Sequence, residues 1–146
     1  MQNHIRTVAL ERAIAARQSR YRLLLFEDDE ELIAVGSHQP ESLVLDTGYS
    51  INAARLVVLG VAQAHQGKAL KDGTRIADKA LRLLIQEAVT YRRARVVSGI
   101  VARDNIRSLT MCERNGLASQ TTFGTRYVRV TGRFEVSSAP RRRQPR

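Results

Sequence analysis

Two short stretches of this 146-residue chain carry residue types whose spacing can do chemistry. In the first, Gly67 and Gly73 punctuate a polar loop that also holds Lys68, Lys71 and Arg75. Glycines let a backbone approach a ligand closely, and a helix starting after the loop offers free N–H groups and the positive end of its dipole. Such a junction suits a phosphate or pyrophosphate, although conformation alone also explains a glycine in this turn. It is not a Walker A loop, because Gly73 is followed by Thr74-Arg75, and it lacks the Gly-x-Gly-x-x-Gly of a dinucleotide fold. In the second stretch, Asn105, Ser108 and Cys112 stand at i, i+3 and i+7 and so share one helical face. A polar face with a thiol can line a groove. A capping Asn105, a solvated Ser108 and a Cys112 packed as a small hydrophobe explain the same residues, and for the helix alone that plainer explanation is preferred.

The elements that must position these residues are legible from periodicity. Ile5, Val8, Ala9, Ala13 and Ala16 recur at helical spacing and predict a helix over residues 5–17. Residues 21–26 and 32–36 read as the two strands of a hairpin around the acidic turn 27–30. Residues 39–52 are mixed, with Pro40, Asp46 and Gly48 as punctuation and a short strand at 43–45. The run 56–62 is nearly all apolar, as expected of a strand covered on both faces, and its isolated Gly60 predicts a bulge. Ile76, Ala77, Ala80, Leu81, Leu84 and Ala88 form the clearest helical stripe, with Asp72 or Thr74 as N-cap. A strand at 95–101, a helix from Asp104 or Asn105 to Gly116, and closing strands at 117–123 and 126–132 complete the order. This order predicts an α/β (α+β) architecture: a central mixed sheet with helices packed on both faces, and a right-handed parallel crossover from 56 to 101.

The strand Leu59-Gly60-Val61, the loop Gln66-Gly67-Lys68, the helix start Gly73-Thr74 and the later run from Asn105 through Ser108 and Met111-Cys112-Glu113-Arg114-Asn115-Gly116-Leu117 together resemble the GNAT superfamily of N-acetyltransferases. Both cofactor motifs of that family are matched, in order, over residues 56–117, and the strand order extends the likeness to residue 134. The resemblance implies acetyl-CoA as cosubstrate, an acetyl transfer to a primary amine by direct attack, and neither metal nor covalent intermediate. It implies that Leu59 and Val61 offer backbone groups to the pantetheine arm, that the strands splay at Gly60, and that Gln66, Gly67, Lys68, Gly73 and Thr74 hold the pyrophosphate. Asn105 and Ser108 would flank the arm on its other side.

Three places depart from the family pattern. The loop from Gly67 to Gly73 is two residues longer than usual, and Ala69 and Lys71 fill the glycine places. Cys112 stands where a tyrosine acid is frequent; a thiol titrating near 8.5 can serve as an acid at neutral pH, and packing is its other reading. The front of the chain is short, so the first strand is expected to be missing or replaced, with part of the acceptor site drawn from elsewhere, such as the second subunit of a homodimer. No general base stands out. His38, Glu41 and Asp46 lie toward the side where acceptors enter such folds, and His65 lies in the cofactor loop; each also reads as an ordinary surface residue.

Length fits one domain, residues 1–136, followed by a basic tail, 137–146, read as disordered from its prolines and lack of periodicity. The net charge is +10, and about +6 remains without the tail's four arginines, so anionic partners are favoured. Two rival readings follow: a catalytically silent acyl-CoA-binding module that regulates a partner, and a basic nucleic-acid-associated protein, the latter without the aromatic-rich strand such proteins use. One cysteine excludes an internal disulfide framework and a cysteine-rich zinc site, which fits a cytoplasmic home. No apolar run has the length of a membrane span, and the N-terminus has no secretory h-region, although its arginines leave an amphipathic transit segment open.

Overall fold

The computed structural model describes residues 6–10, 21–44, 46–120 and 126–135. The tail 137–146 and the helical prediction beyond residue 10 lie outside the described residues. Seven strands form one mixed sheet in the order β1-β2-β3-β4-β5-β7-β6.

The N-terminal helix expected over 5–17 is not formed at its start. Arg6–Leu10 is instead the edge strand β1, antiparallel to β2 (Arg22–Asp28), with Thr7 opposite Phe26 and Val8 opposite Leu25. The exposed edge of β2 gives this segment a ladder for its backbone groups, and pairing overrides a weak helical period. The strand expected to be missing is therefore present. Asp29 and Glu30, at φ +48° and +66°, then close a two-residue hairpin of the primed type, whose twist matches its strands.

β3 (Glu31–Val44) and β4 (Ser50–Val61) form one long hairpin that absorbs the segment read as mixed. Pro40 is tolerated because β2 pairs with β3 only as far as His38, so no neighbour on that side needs its absent N–H. Ser37 faces Val58 while His38 faces Leu56, which leaves Val57 unmatched. The bulge thus lies at Val57; Gly60, where it was expected, pairs regularly with Val35.

α1 (Ile76–Arg92) follows, and then β5 (Val96–Ala102), parallel to β4. The N-cap of α1 is Arg75, with no side-chain cap, while Asp72 accepts from the N–H of Thr74 one step earlier. α2 (Ile106–Arg114) has the expected N-cap, Asn105, whose side chain accepts from the N–H of Ser108. β6 (Ala118–Ser119) and β7 (Tyr127–Arg133) close the sheet.

The core explains where the helices sit. Leu81, Ile85 and Val89 of α1 and Cys112 of α2 pack together against Val97 and Val130. Leu84 and Ala80 pack against Leu24, Phe26 and Ala34 at the other end of α1. Both described helices therefore cover the same face; most of the segment expected to supply a further helix, residues 11–17, lies outside the described residues. Gly132 lets the end of α2 close down on β7. A Cβ there would collide with the carbonyl oxygen of Gly116 and come within 2.9 Å of the Phe134 ring. Gly132→Ala is expected to lower stability by about 2–3 kcal/mol, measured by chemical denaturation.

Candidate functional site

The parallel ladder between β4 and β5 runs for four residue pairs and ends at Leu56 opposite Gly99. Beyond it, β4 stays with β3 through Val61 and β5 stays with β7 through Ala102, so the two strands diverge. Among the described residues the edge of β4 facing β5 is then without a strand partner from Val57 onward. The bulge at Val57 bends and twists β4 where the separation begins.

A cleft of about 360 Å³ opens in the gap, lined by residues 56–59, 99–102, Leu81, and Asn105, Ser108, Met111 and Cys112 of α2. Its floor is apolar and its mouth, at the start of α2, is polar. Such a slot accepts a slender chain that adds main-chain hydrogen bonds to an open strand edge. Leu59, Asn105 and Ser108, three of the residues singled out in the sequence, come together here. Gly60 and Val61 share the open edge outside the lining, and the carbonyl of Val61 accepts from the Gln66 side chain at 3.1 Å.

Cys112 also lines the cleft, with 6 % of its surface exposed. Burial, with a smaller contribution from the Glu113 charge, pushes its thiol above the ordinary value. The group is therefore a protonated thiol at neutral pH. It also packs against Leu81 and Val97.

The loop before α1 is largely closed on itself. The N–H groups of Gln66, Lys68 and Gly73 donate to the carbonyls of Gln63, His65 and Leu70, and that of Thr74 to Asp72 Oδ1 at 2.9 Å. Four of the amides expected to hold a pyrophosphate thus already have acceptors. The N–H of Gly67, at φ +73°, and that of Ala69 have none among the described residues. Those two amides, with those of Lys71, Asp72 and Arg75, which likewise have no backbone acceptor among the described residues, and the exposed Lys68, Lys71 and Arg75 are what this loop offers an anion. The Asp72 carboxyl is held below its usual range by the Thr74 N–H, with a further hydrogen bond from the Thr74 side chain, so a negative charge sits at the same place.

Behind the loop, a hollow of about 440 Å³ is bordered by Gly73, Arg75, Asp78, Arg82 and Arg114. Most of its charge is spent internally. Arg114 pairs with Asp78 at 3.2 Å, Asn115 donates to Asp78 at 2.7 Å, and Arg82 donates to Asn115 at 2.7 Å. Burial raises the Asp78 pKa, but those hydrogen bonds and charges outweigh it and the carboxyl ends lower than usual.

The candidate bases are placed elsewhere. His38 is 0 % exposed beneath α1, its ring bonded to the Glu87 carboxylate and, through Nδ1, to Arg92 at 3.2 Å. It does not line the cleft; it belongs to the core. His65 pairs with Glu31 at 2.9 Å, and Asp46 sits in the exposed β3–β4 turn. Glu41 lies on the sheet face away from α1 and α2, accepting from the Ser98 hydroxyl and, at 2.9 Å, from Arg129. Both its oxygens are engaged. Sequence reasoning passed over Ser98 and Arg55, the one a polar residue inside the apolar strand run 96–101 and the other a cation opening the run 56–62. Those interruptions were the available signal. Among the described residues no group of His, Cys, Asp and Glu is arranged to hold a metal ion, and no helix is long and apolar enough to cross a membrane.

No family profile matches the sequence, and no curated protein matches it by sequence. Solved structures do match the fold. The N-acetyltransferase PseH of Campylobacter jejuni is 13 % identical at a TM-score of 0.63, over 82 % of this chain and 72 % of that one. It has also been solved with acetyl-coenzyme A. Spermidine N-acetyltransferase SpeG of Vibrio cholerae, a dodecamer, is 17 % identical at 0.59, over 80 % of this chain and 67 % of that one. An acetyltransferase of Thermus thermophilus is 16 % identical at 0.58, over 80 % of this chain and 66 % of that one. A mutant form of the Vibrio enzyme aligns over 64 % of its own length, so this chain spans about two thirds of that protein.

Proposed function

We propose, from a fold shared with the GNAT N-acetyltransferases, that this chain binds acetyl-CoA in the cleft between β4 and β5 and transfers its acetyl group to a primary amine. The observation that carries the reading is the divergence of two parallel strands after Leu56 and Gly99, with a slot between them. Alternate main-chain groups of β4 from residue 57 would pair with the pantetheine arm, and Asn105 and Ser108 would border it. Gly67, Ala69, Lys68 and Lys71 would meet the phosphates. Acetyl-CoA supplies the activated acyl carbon; this chain supplies position, worth several kcal/mol of barrier when it aligns two reactants.

In the transfer a neutral amine nitrogen bonds to the acyl carbon, the carbon–sulfur bond breaks, and the nitrogen loses a proton. Cys112 is suited to protonate the departing thiolate, since it faces the slot and keeps its proton at neutral pH. Among the described residues the cleft lining holds no carboxylate or imidazole, so water takes the amine's proton and returns one to Cys112. That same lack, and the self-bonded loop, favour a second reading: a silent acyl-CoA-binding module.

Calorimetric titration with acetyl-CoA, followed by thiol release over a broad amine panel, decides among these. Binding with release supports the enzyme, binding without release the silent module, and absence of binding at millimolar cofactor removes both. The loop makes its own prediction. Asp72→Asn removes a negative charge from the phosphate approach and is expected to tighten acetyl-CoA binding about two- to fivefold at low salt, with the gain fading at high ionic strength.

A further inference from the structure

The cleft is lined from the side of α1 and α2, which leaves the opposite sheet face as the second approach to the point where β4 and β5 part, and the chemistry of that face bears on what the acceptor is. Residues paired across strands share a face, so Gln39, Arg55, Ser98 and Thr131 form one row over β3, β4, β5 and β7. That row lies one residue, roughly 3.3 Å, before the point where β4 and β5 part. Any amine approaching the slot from this side passes over it.

The charges in and beside the row are unequal. Glu41 is fully engaged, one oxygen by Ser98 and the other by Arg129. Arg129 is thereby matched. Arg55 is partly buried, and it has neither hydrogen-bond nor ion-pair partner among the described residues. With no counter-charge of its own among the described residues, that guanidinium is free to take a ligand anion as its hydrogen-bond partner. A planar fork of donors on a sheet floor fits a carboxylate or phosphate and repels a polycation.

We propose that the acceptor is a primary amine bearing a carboxylate or phosphate a few bonds from its nitrogen, held by Arg55 beside the Ser98–Glu41–Arg129 cluster. The inference rests on the acetyltransferase reading and narrows it. It sets this chain apart from a polyamine enzyme despite the likeness in fold to a spermidine N-acetyltransferase.

The test is thiol release with acetyl-CoA and five amines: glycine, glutamate, phosphoethanolamine, ethanolamine and spermidine. One of the anionic amines should exceed ethanolamine and spermidine at least about tenfold in kcat/KM. Glycine and glutamate against phosphoethanolamine then tells carboxylate from phosphate. Arg55→Gln should raise KM for the preferred anionic acceptor about tenfold with kcat little changed, and Arg55→Lys should recover part of the loss. Acetyl-CoA affinity by calorimetry should stay within about twofold in both variants, because Arg55 does not line the cleft. Preference for spermidine or ethanolamine, no release with any of the five, or an unchanged acceptor KM in Arg55→Gln overturns the proposal while acetyl-CoA binding still stands. Loss of acetyl-CoA binding in the unaltered protein overturns the parent reading and this one with it.

Discussion

Ser108→Trp is expected to weaken acetyl-CoA binding at least about a hundredfold while leaving the fold intact. Ser108 sits on the first turns of α2 and borders the slot between the diverging strands. Its side chain makes no hydrogen bond that the helix needs; the cap is formed by its backbone N–H and Asn105, which any residue at 108 other than proline preserves. An indole there occupies the space a pantetheine arm would use, and a filled slot rejects a ligand by steric exclusion instead of by lost contacts. Calorimetry gives the affinity, and a thermal melt gives the fold. An unchanged affinity with an unchanged melt would place the cofactor somewhere other than between β4 and β5.

The second large effect is on stability. Glu87→Ala is expected to cost about 2–4 kcal/mol, because it strips the bridging carboxylate from a partly buried cluster of cations. Glu87 bonds to the ring of the fully buried His38 and to Arg22 Nε at 2.6 Å. Arg22 also stacks over the Tyr91 ring at 3.8 Å, and Arg92 lies over the same ring at 4.9 Å. Removing the carboxylate leaves two guanidinium groups and an imidazole around one aromatic ring. Burial raises the Glu87 pKa, but the His38 hydrogen bond, the His38 charge and Arg22 outweigh it, and the carboxyl ends below its ordinary 4.5. A depressed carboxyl stabilises the fold above its unfolded pKa, and that stability is lost as pH falls through the folded value. Denaturant midpoints measured from pH 7 downward should therefore fall below about pH 4.5 in the native chain. In Glu87→Gln the acid limb should be shallower, since Asp78, lowered by Asn115 and Arg114, still contributes.

The helix that Glu87 rides on was readable from its stripe, although Ala77 is only partly buried and Asp78, Ile85 and Val89 are buried as well. Five of its six stripe residues, Ile76, Ala80, Leu81, Leu84 and Ala88, fall on the buried face of α1, because a long amphipathic helix carries its own period and needs no partner to be recognised. The N-cap of α2 was readable for the same reason: Asn105 and Ser108 are three residues apart and bond to each other. The segment 6–10 was not. Its spacing fits a weak helix, and only the open edge of β2, some fifteen residues later in the chain, makes it a strand.

The candidate site divides along the same line. The sequence by itself determined the helices that became α1 and α2, the strand runs 56–62 and 95–101, the loop between the first of them and α1, and thus the resemblance to an acyl-CoA fold. Each of these is written in local spacing. Only the tertiary structure decided that β4 and β5 part after Leu56, that four of the five amides expected to hold a pyrophosphate already have acceptors within the loop, and that His38 is a core residue bonded to Glu87. It also decided that Arg55 stands over the strand junction without a partner among the described residues. Strand register, burial and the pairing of charges depend on which residues meet across long stretches of chain, as Ser98 meets Glu41 and Arg129 meets Glu41 across 57 and 88 positions. Local periodicity carries no information about such meetings, and the reactive character of a side chain is set by them.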